Sequence, residues 1–256
     1  MNTIVAASGI SKIYQTGDRP VLVLCSDGYH YICKYKLPGG AANKLANELI
    51  GGQFARLWRI NTPPVSLITN DSIIWESGSV SHDPSAHLLG SRMLENVCDL
   101  NEMNCDQVKV VTRTLKQILI IALFDLWLSN EDRTCNNYNL LYDLRQDSIV
   151  SIDYAGIFNS GIIDRPIYQL NEYDSILSSG LYDKLRLLDC RFLLDYIEKI
   201  FQVSVRRCEL NFPSILGLIP EEWNVHIQSF ANKLSELFNK EWMNKTWNNF
   251  YNIANR

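Results

Sequence analysis

The chain lacks the glycine signatures that announce most phosphate-binding loops: no Gly-x-Gly-x-x-Gly run and no Gly-Lys-Ser/Thr loop occurs in it. Dinucleotide-binding βαβ units and Walker-type loops are thereby excluded. Cys-x-x-Cys pairs are absent, and none of the four histidines stands at zinc-ligand spacing, which excludes the common structural zinc motifs. The seven cysteines are an odd number, most simply read as free thiols in a reducing compartment. No apolar run is long enough to span a bilayer; the best, Ile118 to Leu128, is short and contains Asp125. The N-terminus has neither the basic start nor the apolar stretch of a signal peptide. A cytosolic protein without membrane contact is expected. A net charge of −4 gives no reason to expect nucleic-acid binding. Repeats and low-complexity runs are absent.

What is present is concentrated in Ser129-Asn130-Glu131-Asp132-Arg133-Thr134-Cys135-Asn136-Asn137-Tyr138-Asn139, followed by Ser151-Ile152-Asp153. Asn137 stands five positions after Asp132, and Asp153 follows an apolar turn and strand. That is the order in which phosphotransferases present an acceptor-orienting carboxylate, a metal-binding amide and a metal-binding carboxylate. Phosphoryl transfer needs little covalent work from the protein and much positioning, and magnesium prefers hard oxygen ligands. Asp132, Asn137 and Asp153 supply such oxygens. Arg133, Asn136 and Asn139 fit equally a role in bracing the loop through hydrogen bonds. Cys135 lies within the loop and reads as a passive thiol.

The apolar frame around this loop predicts its setting. Val108 to Leu128 reads as a long helix buried around much of its circumference. Asn139 to Tyr142 and Ser148 to Ile152 read as a hairpin turned by Asp143 to Asp147.

A cation for phosphate is expected in the first fifty residues. Val21 to Cys25 and Tyr29 to Tyr35 read as a hairpin with an Asp27-Gly28 turn, which puts Lys34 in its second strand. Ala41 to Trp58 has helical character, and Glu48 falls in a stripe of mostly small residues, where an acid needs a partner. Lys34 is the expected partner. Lys36, two positions on and on the same face, exchanges with it if the register slips by two.

Tyr31-Ile32-Cys33-Lys34, Ala46-Asn47-Glu48-Leu49-Ile50 leading to Ala55-Arg56-Leu57, Thr62-Pro63-Pro64, Gly90-Ser91-Arg92, Asn130-Glu131-Asp132-Arg133 with Asn137 and Asn139, and Ile152-Asp153 together resemble the HipA-like kinases, and most closely their compact branch. The similarity runs from about residue 17 to 160, and Ile219 to Trp223 resembles that branch's C-terminal segment. The resemblance implies an α+β, two-lobed protein-kinase-like fold using ATP and Mg2+. It makes Asp132 the catalytic aspartate, Asn137 and Asp153 the metal ligands, and Lys34, oriented by Glu48, the nucleotide-binding lysine. By the same analogy the adenine pairs with backbone groups of Met93, Leu94 or Glu95. It further implies a protein serine or threonine acceptor, often the kinase itself, with a small-molecule acceptor or a nucleotide-binding pseudokinase as alternatives. A cognate protein partner is compatible with the family, and no DNA-binding module is present.

Two features depart from the pattern. With no glycine-rich run, Thr16-Gly17-Asp18-Arg19-Pro20 is the expected phosphate loop, although Asp18 repels phosphate and Pro20 has no amide hydrogen. Glu131 precedes Asp132 where small or polar residues are commoner. The expected organisation is a strand-rich nucleotide-binding lobe over residues 1–92 and a mostly helical catalytic lobe over 93–256. The latter ends in two amphipathic helices whose Trp242, Trp247 and Phe250, with Trp223, pack against it.

Overall fold

Every second residue of Val21-Leu22-Val23-Leu24-Cys25 is buried, as in a strand with one face on a core. The Asp27-Gly28 pair folds that strand back, Gly28 taking a φ of +81° that a side chain would disfavour. The result is β2 (Val21–Cys25) paired antiparallel with β3 (His30–Lys34), in the register Val21↔Cys33 through Leu24↔His30. The computed structural model describes residues 3–69, 73, 81–158, 166–188 and 191–255.

Around this hairpin β1 (Thr3–Ile13), β4 (Val65–Thr69) and β5 (Leu88–Arg92) close a barrel in the order β1-β2-β3-β5-β4. Closure comes from β1, which pairs antiparallel with β2 and parallel with β4. Val21, Val23, Cys25, Tyr31, Cys33 and Leu88 fill the interior. Sequence pattern alone does not mark β1 as a strand, because two register shifts break its alternation.

A three-stranded sheet, β6 (Val97–Asp99), β7 (Leu140–Asp143) and β8 (Ser148–Ser151), follows. Its β7-β8 hairpin is the expected one, with Leu140↔Ser151 and Asp143↔Ser148 as end pairs. Among the described residues the helices include α1 (Asn43–Leu57), α2 (Thr112–Leu128), α3 (Gly180–Leu185), α4 (Arg191–Leu216), α5 (Ile227–Leu237) and α6 (Lys240–Ala254). Helix α2 starts four residues later than its apolar pattern predicts: Val111 is extended, and Val108 reaches the core from outside the helix. Apolar content reports burial, not backbone conformation, and here the two separate. Among the described residues no helix is long and apolar enough to cross a membrane. Cys25, Cys33, Cys98, Cys105, Cys135 and Cys208 are free thiols, and Cys190 lies outside the described residues.

The main core lies among the helices, and α1 belongs to it. Phe54 of α1 and Trp58, which caps its C-terminal end, stack on Trp127 of α2 with ring centroids 5.6 and 5.4 Å apart, and Trp58 lies 5.8 Å from Phe201 of α4. The C-terminal helices cover this cluster as their amphipathic pattern predicts: Phe250 is fully buried, Trp242 donates Nε1–H to the Trp127 carbonyl, and Trp127 donates to that of Leu237. The helix that accompanies the barrel in sequence is thus packed into the helical half.

Close approach on the other side of α1 depends on Gly51, where an added Cβ would lie 2.4 Å from Tyr154 Cβ. Replacing a helical glycine by alanine gains about 1 kcal/mol in helix propensity, whereas overpacking costs about 1–3 kcal/mol. Because the obstructing atom is next to the backbone, the clash wins. Gly51→Ala is expected to lose about 1 kcal/mol or more of stability in urea unfolding; a variant more stable than the parent would show that α1 does not rest on Tyr154.

Candidate active site

Lys34 ends β3 and turns its ammonium toward α1 and the segment after β8. Its Nζ lies 3.1 Å from Glu48 Oε2 and 2.9 Å from Asp153 Oδ1. Lys36 does not compete: it pairs with Asp83, 2.6 Å away, so the register places Lys34 and not Lys36 against Glu48. Glu48 Oε2 also accepts the Tyr154 amide at 2.9 Å, so one oxygen of α1 holds both the lysine and the backbone after Asp153. Neighbouring Asn47 donates Nδ2–H to the carbonyls of Ala155 and Ile157, each at 3.0 Å. With Gly51, these contacts dock one face of α1 onto residues 153–157.

Electrostatics follow from this burial. Burial acts to lower the Lys34 pKa, but Glu48 and Asp153 outweigh it and hold the ammonium above its ordinary range. Burial pushes the Glu48 carboxyl up to about 7, with Lys34 opposing the shift. Burial also acts to raise Asp153, but the Lys34 charge and hydrogen bond reverse it and keep that carboxyl below its ordinary value. Of the two carboxyls, Asp153 is therefore the firmly ionised one. Its backbone has a φ of +57°, an uncommon conformation for a residue other than glycine and one that aspartate tolerates better than most.

Asp132 lies on the loop between α2 and β7. Asn137 Nδ2 donates to Asp132 Oδ1 at 2.9 Å and to its carbonyl at 3.0 Å, and Asn139 Nδ2 donates to Asp132 Oδ2 at 2.9 Å. Both carboxylate oxygens are thus oriented by amides. With Asn137 Nδ2 committed to Asp132, Oδ1 is the atom Asn137 has for a cation.

The loop is stitched to the Asp153 segment. The Asn139 carbonyl accepts the Ile152 amide at 3.1 Å, and Arg133 Nη2 donates to the Ile152 carbonyl at 2.7 Å. Arg133 is fully buried and its Nη1 lies 2.5 Å from Asp125 Oδ1. Asn130 joins the same carboxylate at 2.8 Å through Nδ2 and accepts the Asp132 amide through Oδ1 at 3.4 Å. Gly156 permits the contact from the other side, since a Cβ there would lie 2.5 Å from Asp132 Cβ. Lys34, Glu48 and Asp153 form one bonded group, Asp132, Asn137 and Asn139 a second, and Ile152 joins them.

The connector from β5 to β6 contains Met93, Leu94 and Glu95. The Met93 amide donates to the His30 carbonyl at 2.8 Å, so a base pairing here would use the Met93 carbonyl or the backbone of Leu94 or Glu95. The Thr16–Pro20 turn closes with Arg19 N–H on the Thr16 carbonyl at 2.9 Å, and Arg19 takes a φ of +46°. Gly17, Asp18 and Arg19 line a cavity of about 460 Å³ together with Lys34, Lys36 and Lys44. Asp18 is drawn off by Lys44, 3.4 Å away.

One carboxylate, Asp153, and one amide oxygen, that of Asn137, are a donor set suited to magnesium, which keeps water and phosphate in its remaining positions. They do not make a protein cage, and among the described residues no group of three or more His, Cys, Asp or Glu could hold a metal ion.

Several pairings were not evident from the sequence. Asp125 carried a signal, an acid within an otherwise apolar helix, but nothing identified Arg133 as its partner. Asn47 had none beyond adjacency to Glu48. Trp223 is fully buried and bonds through Nε1–H to the His87 carbonyl, a pairing that no local pattern contains.

The profile described as HipA-like kinase matches residues 8–252. The solved structure of the Helicobacter pylori proinflammatory kinase CtkA is similar over 99% of this chain and 98% of its own, with a TM-score of 0.57 at 12% identity. At that identity it supports the fold alone. The FAT and kinase domain of CtTel1 matches 96% of the chain at 14% identity, but over only 23% of its own length and with a TM-score of 0.32, too low to bear on the fold. No curated protein matches the chain.

The raised Glu48 carboxyl gives a pH signature. A group whose folded value lies above its unfolded one contributes stability that is present below the ordinary value of 4.5 and lost as pH rises through about 7. Urea unfolding of wild type and Glu48→Gln is expected to show the wild type losing ground to the variant between those pH values, by something on the order of 3 kcal/mol. A pH-independent difference would mean that Glu48 is ionised throughout.

Proposed function

Because the chain belongs to the HipA-like kinase family, we propose that it is an ATP- and magnesium-dependent kinase of protein serine or threonine hydroxyls, with itself among its acceptors. The observation that carries this reading is the Lys34 ammonium, bonded to Glu48 of α1 at 3.1 Å and to Asp153 at 2.9 Å, beside a loop that orients both oxygens of Asp132. In this reading residues 1–92 form the nucleotide-binding lobe and residues 93–256 the catalytic lobe, and the free thiols suit a cytosolic setting.

Lys34 holds the α- and β-phosphates while Glu48 holds Lys34 in position. In the free protein the ammonium neutralises Asp153; when phosphate arrives, Lys34 turns to it and releases Asp153 for a cation. Asn137 Oδ1 and the Asp153 carboxylate would hold the magnesium, which when bound offsets the charge of the phosphates. Arg19 and Lys44, on the walls of the 460 Å³ cavity next to Lys34, supply positive charge where other kinases use a glycine-rich loop. The backbone of Met93 to Glu95 receives the adenine.

Asp132 accepts a hydrogen bond from the acceptor hydroxyl and aims its oxygen at the γ-phosphorus. A bond forms between that oxygen and phosphorus as the bond from phosphorus to the β-γ bridging oxygen breaks, ADP leaves, and the hydroxyl proton passes to Asp132 and on to water. Since both Asp132 oxygens already accept amide hydrogens, its role is orientation more than strong basicity.

The test uses γ-labelled ATP with magnesium, following label on the protein itself and on lysate proteins. Wild type is expected to transfer label, and Asp132→Ala to lose roughly a hundredfold or more of the rate while still binding nucleotide. Asp153→Ala is expected to lose transfer together with the magnesium dependence of nucleotide binding. Equal labelling by all three proteins would sink the assignment. Asn139→Ala tests the second amide: it should keep nucleotide affinity and lose roughly tenfold in rate, the worth of one hydrogen bond to a charged group; an unchanged rate would return Asn139 to a bracing role.

A further inference from the structure

Helix α1 begins without a conventional cap. Ala42 has no side chain that could accept a hydrogen bond, and no acid stands in the first turn. The Ala42 amide instead donates to the carbonyl of Trp223 at 2.9 Å. Trp223 comes from the short turn Glu221–Trp223, far along the chain between α4 and α5. Its indole is fully buried and its Nε1–H goes to the His87 carbonyl at 2.8 Å. His87 directly precedes β5, and β5 lies against β3 with Leu89 opposite Lys34. Adjacent Glu222 reinforces the same end of β5, its Oε1 accepting the His87 amide at 3.3 Å and contacting the His87 ring.

A single residue thus bonds through its backbone to the N-cap of the helix that carries Glu48, and through its side chain to the residue that leads into the strand beside Lys34. The spacing of α1 from the sheet decides whether a lysine and a glutamate on those two elements meet, because their hydrogen bond weakens steeply with misplacement.

We propose that Trp223 is a positioning residue for the Lys34–Glu48 pair, so that the turn between α4 and α5 controls how well Lys34 is presented to a nucleotide. The proposal rests on the kinase reading for its nucleotide consequence and on the structure alone for its mechanical one. It acts through Lys34 and not through Asp132, so its effect falls on nucleotide affinity.

The test compares wild type with Trp223→Phe, which keeps the buried ring and removes the Nε1–H donor, and with Glu222→Ala, whose partly exposed side chain leaves no cavity. Trp247→Phe, a tryptophan of α6 packed on Phe201 and Phe250, controls for general loosening of the helical core. Hydrogen exchange without nucleotide is measured first; in Trp223→Phe the amides at the start of α1 and along β5 are expected to exchange faster while those of α2 keep their rates. Kinetics then follow: KM for ATP is expected to rise roughly fivefold, the worth of about one neutral hydrogen bond, with kcat within about twofold, and Glu222→Ala should move the same way by less. Unchanged exchange at α1, a fall in kcat at constant KM, or an equal rise of KM in Trp247→Phe would each overturn the proposal. Faster exchange at α1 in a protein whose wild type binds no ATP would sink the kinase reading and leave the positioning role supported.

Discussion

The buried pair of Arg133 and Asp125 is the constraint on which the rest of the site depends. Taking two charges out of water is costly, and such a pair adds little net stability; removing one partner, however, leaves an uncompensated buried charge at a cost of about 3–5 kcal/mol. The pair therefore acts on geometry. Burial pushes the Asp125 carboxyl up, with Arg133 opposing, so the ionised state of Asp125 depends on Arg133 being in place. Since Arg133 also bonds the Ile152 carbonyl and Asn130 also accepts the Asp132 amide, fixing one carboxylate in α2 fixes both the backbone of Asp132 and the approach to Asp153.

A second constraint comes from the opposite side. Asn47, Glu48 and Gly51 present one face of α1 to residues 153–157, through two amide bonds, a carboxylate bond and a close contact. The Asp153 segment is held between α2 and its loop on one side and α1 on the other, which is how a backbone with a positive φ at Asp153 is maintained. The aromatic stack of Phe54, Trp58 and Trp127 supplies the apolar burial that keeps α1 against α2, so the polar alignment rides on a hydrophobic one.

The surroundings of Lys34 are ordered without a glycine-rich loop. The positive charge near Lys34 is distributed over side chains that themselves need holding: Lys36 is tied to Asp83 and Lys44 to Asp18. The N-terminus of α1 is capped by a carbonyl from a distant turn. In the proposed reading, the roles that a single glycine-rich motif plays elsewhere are spread over separate parts of the chain.

The strands around Lys34, the helix bearing Glu48, the β7-β8 hairpin and the loop holding Asp132 and Asn137 were legible in the amino-acid sequence by itself, because each depends on near neighbours: alternation with an Asp-Gly turn, helical spacing of small and apolar residues, and polar residues a few positions apart in one loop. The late start of α2 and the closing strand β1 were less so, since an extended segment can be as apolar as a helix and shifts of register hide a strand. Only the tertiary structure decided that Lys34 and not Lys36 meets Glu48, that Asp125 neutralises Arg133, that α1 packs with the helices, and that Trp223 bridges α1 and β5. Each of these joins residues brought together by the packing of the core, and a hydrogen bond or ion pair of this kind leaves no periodic trace in the chain that forms it.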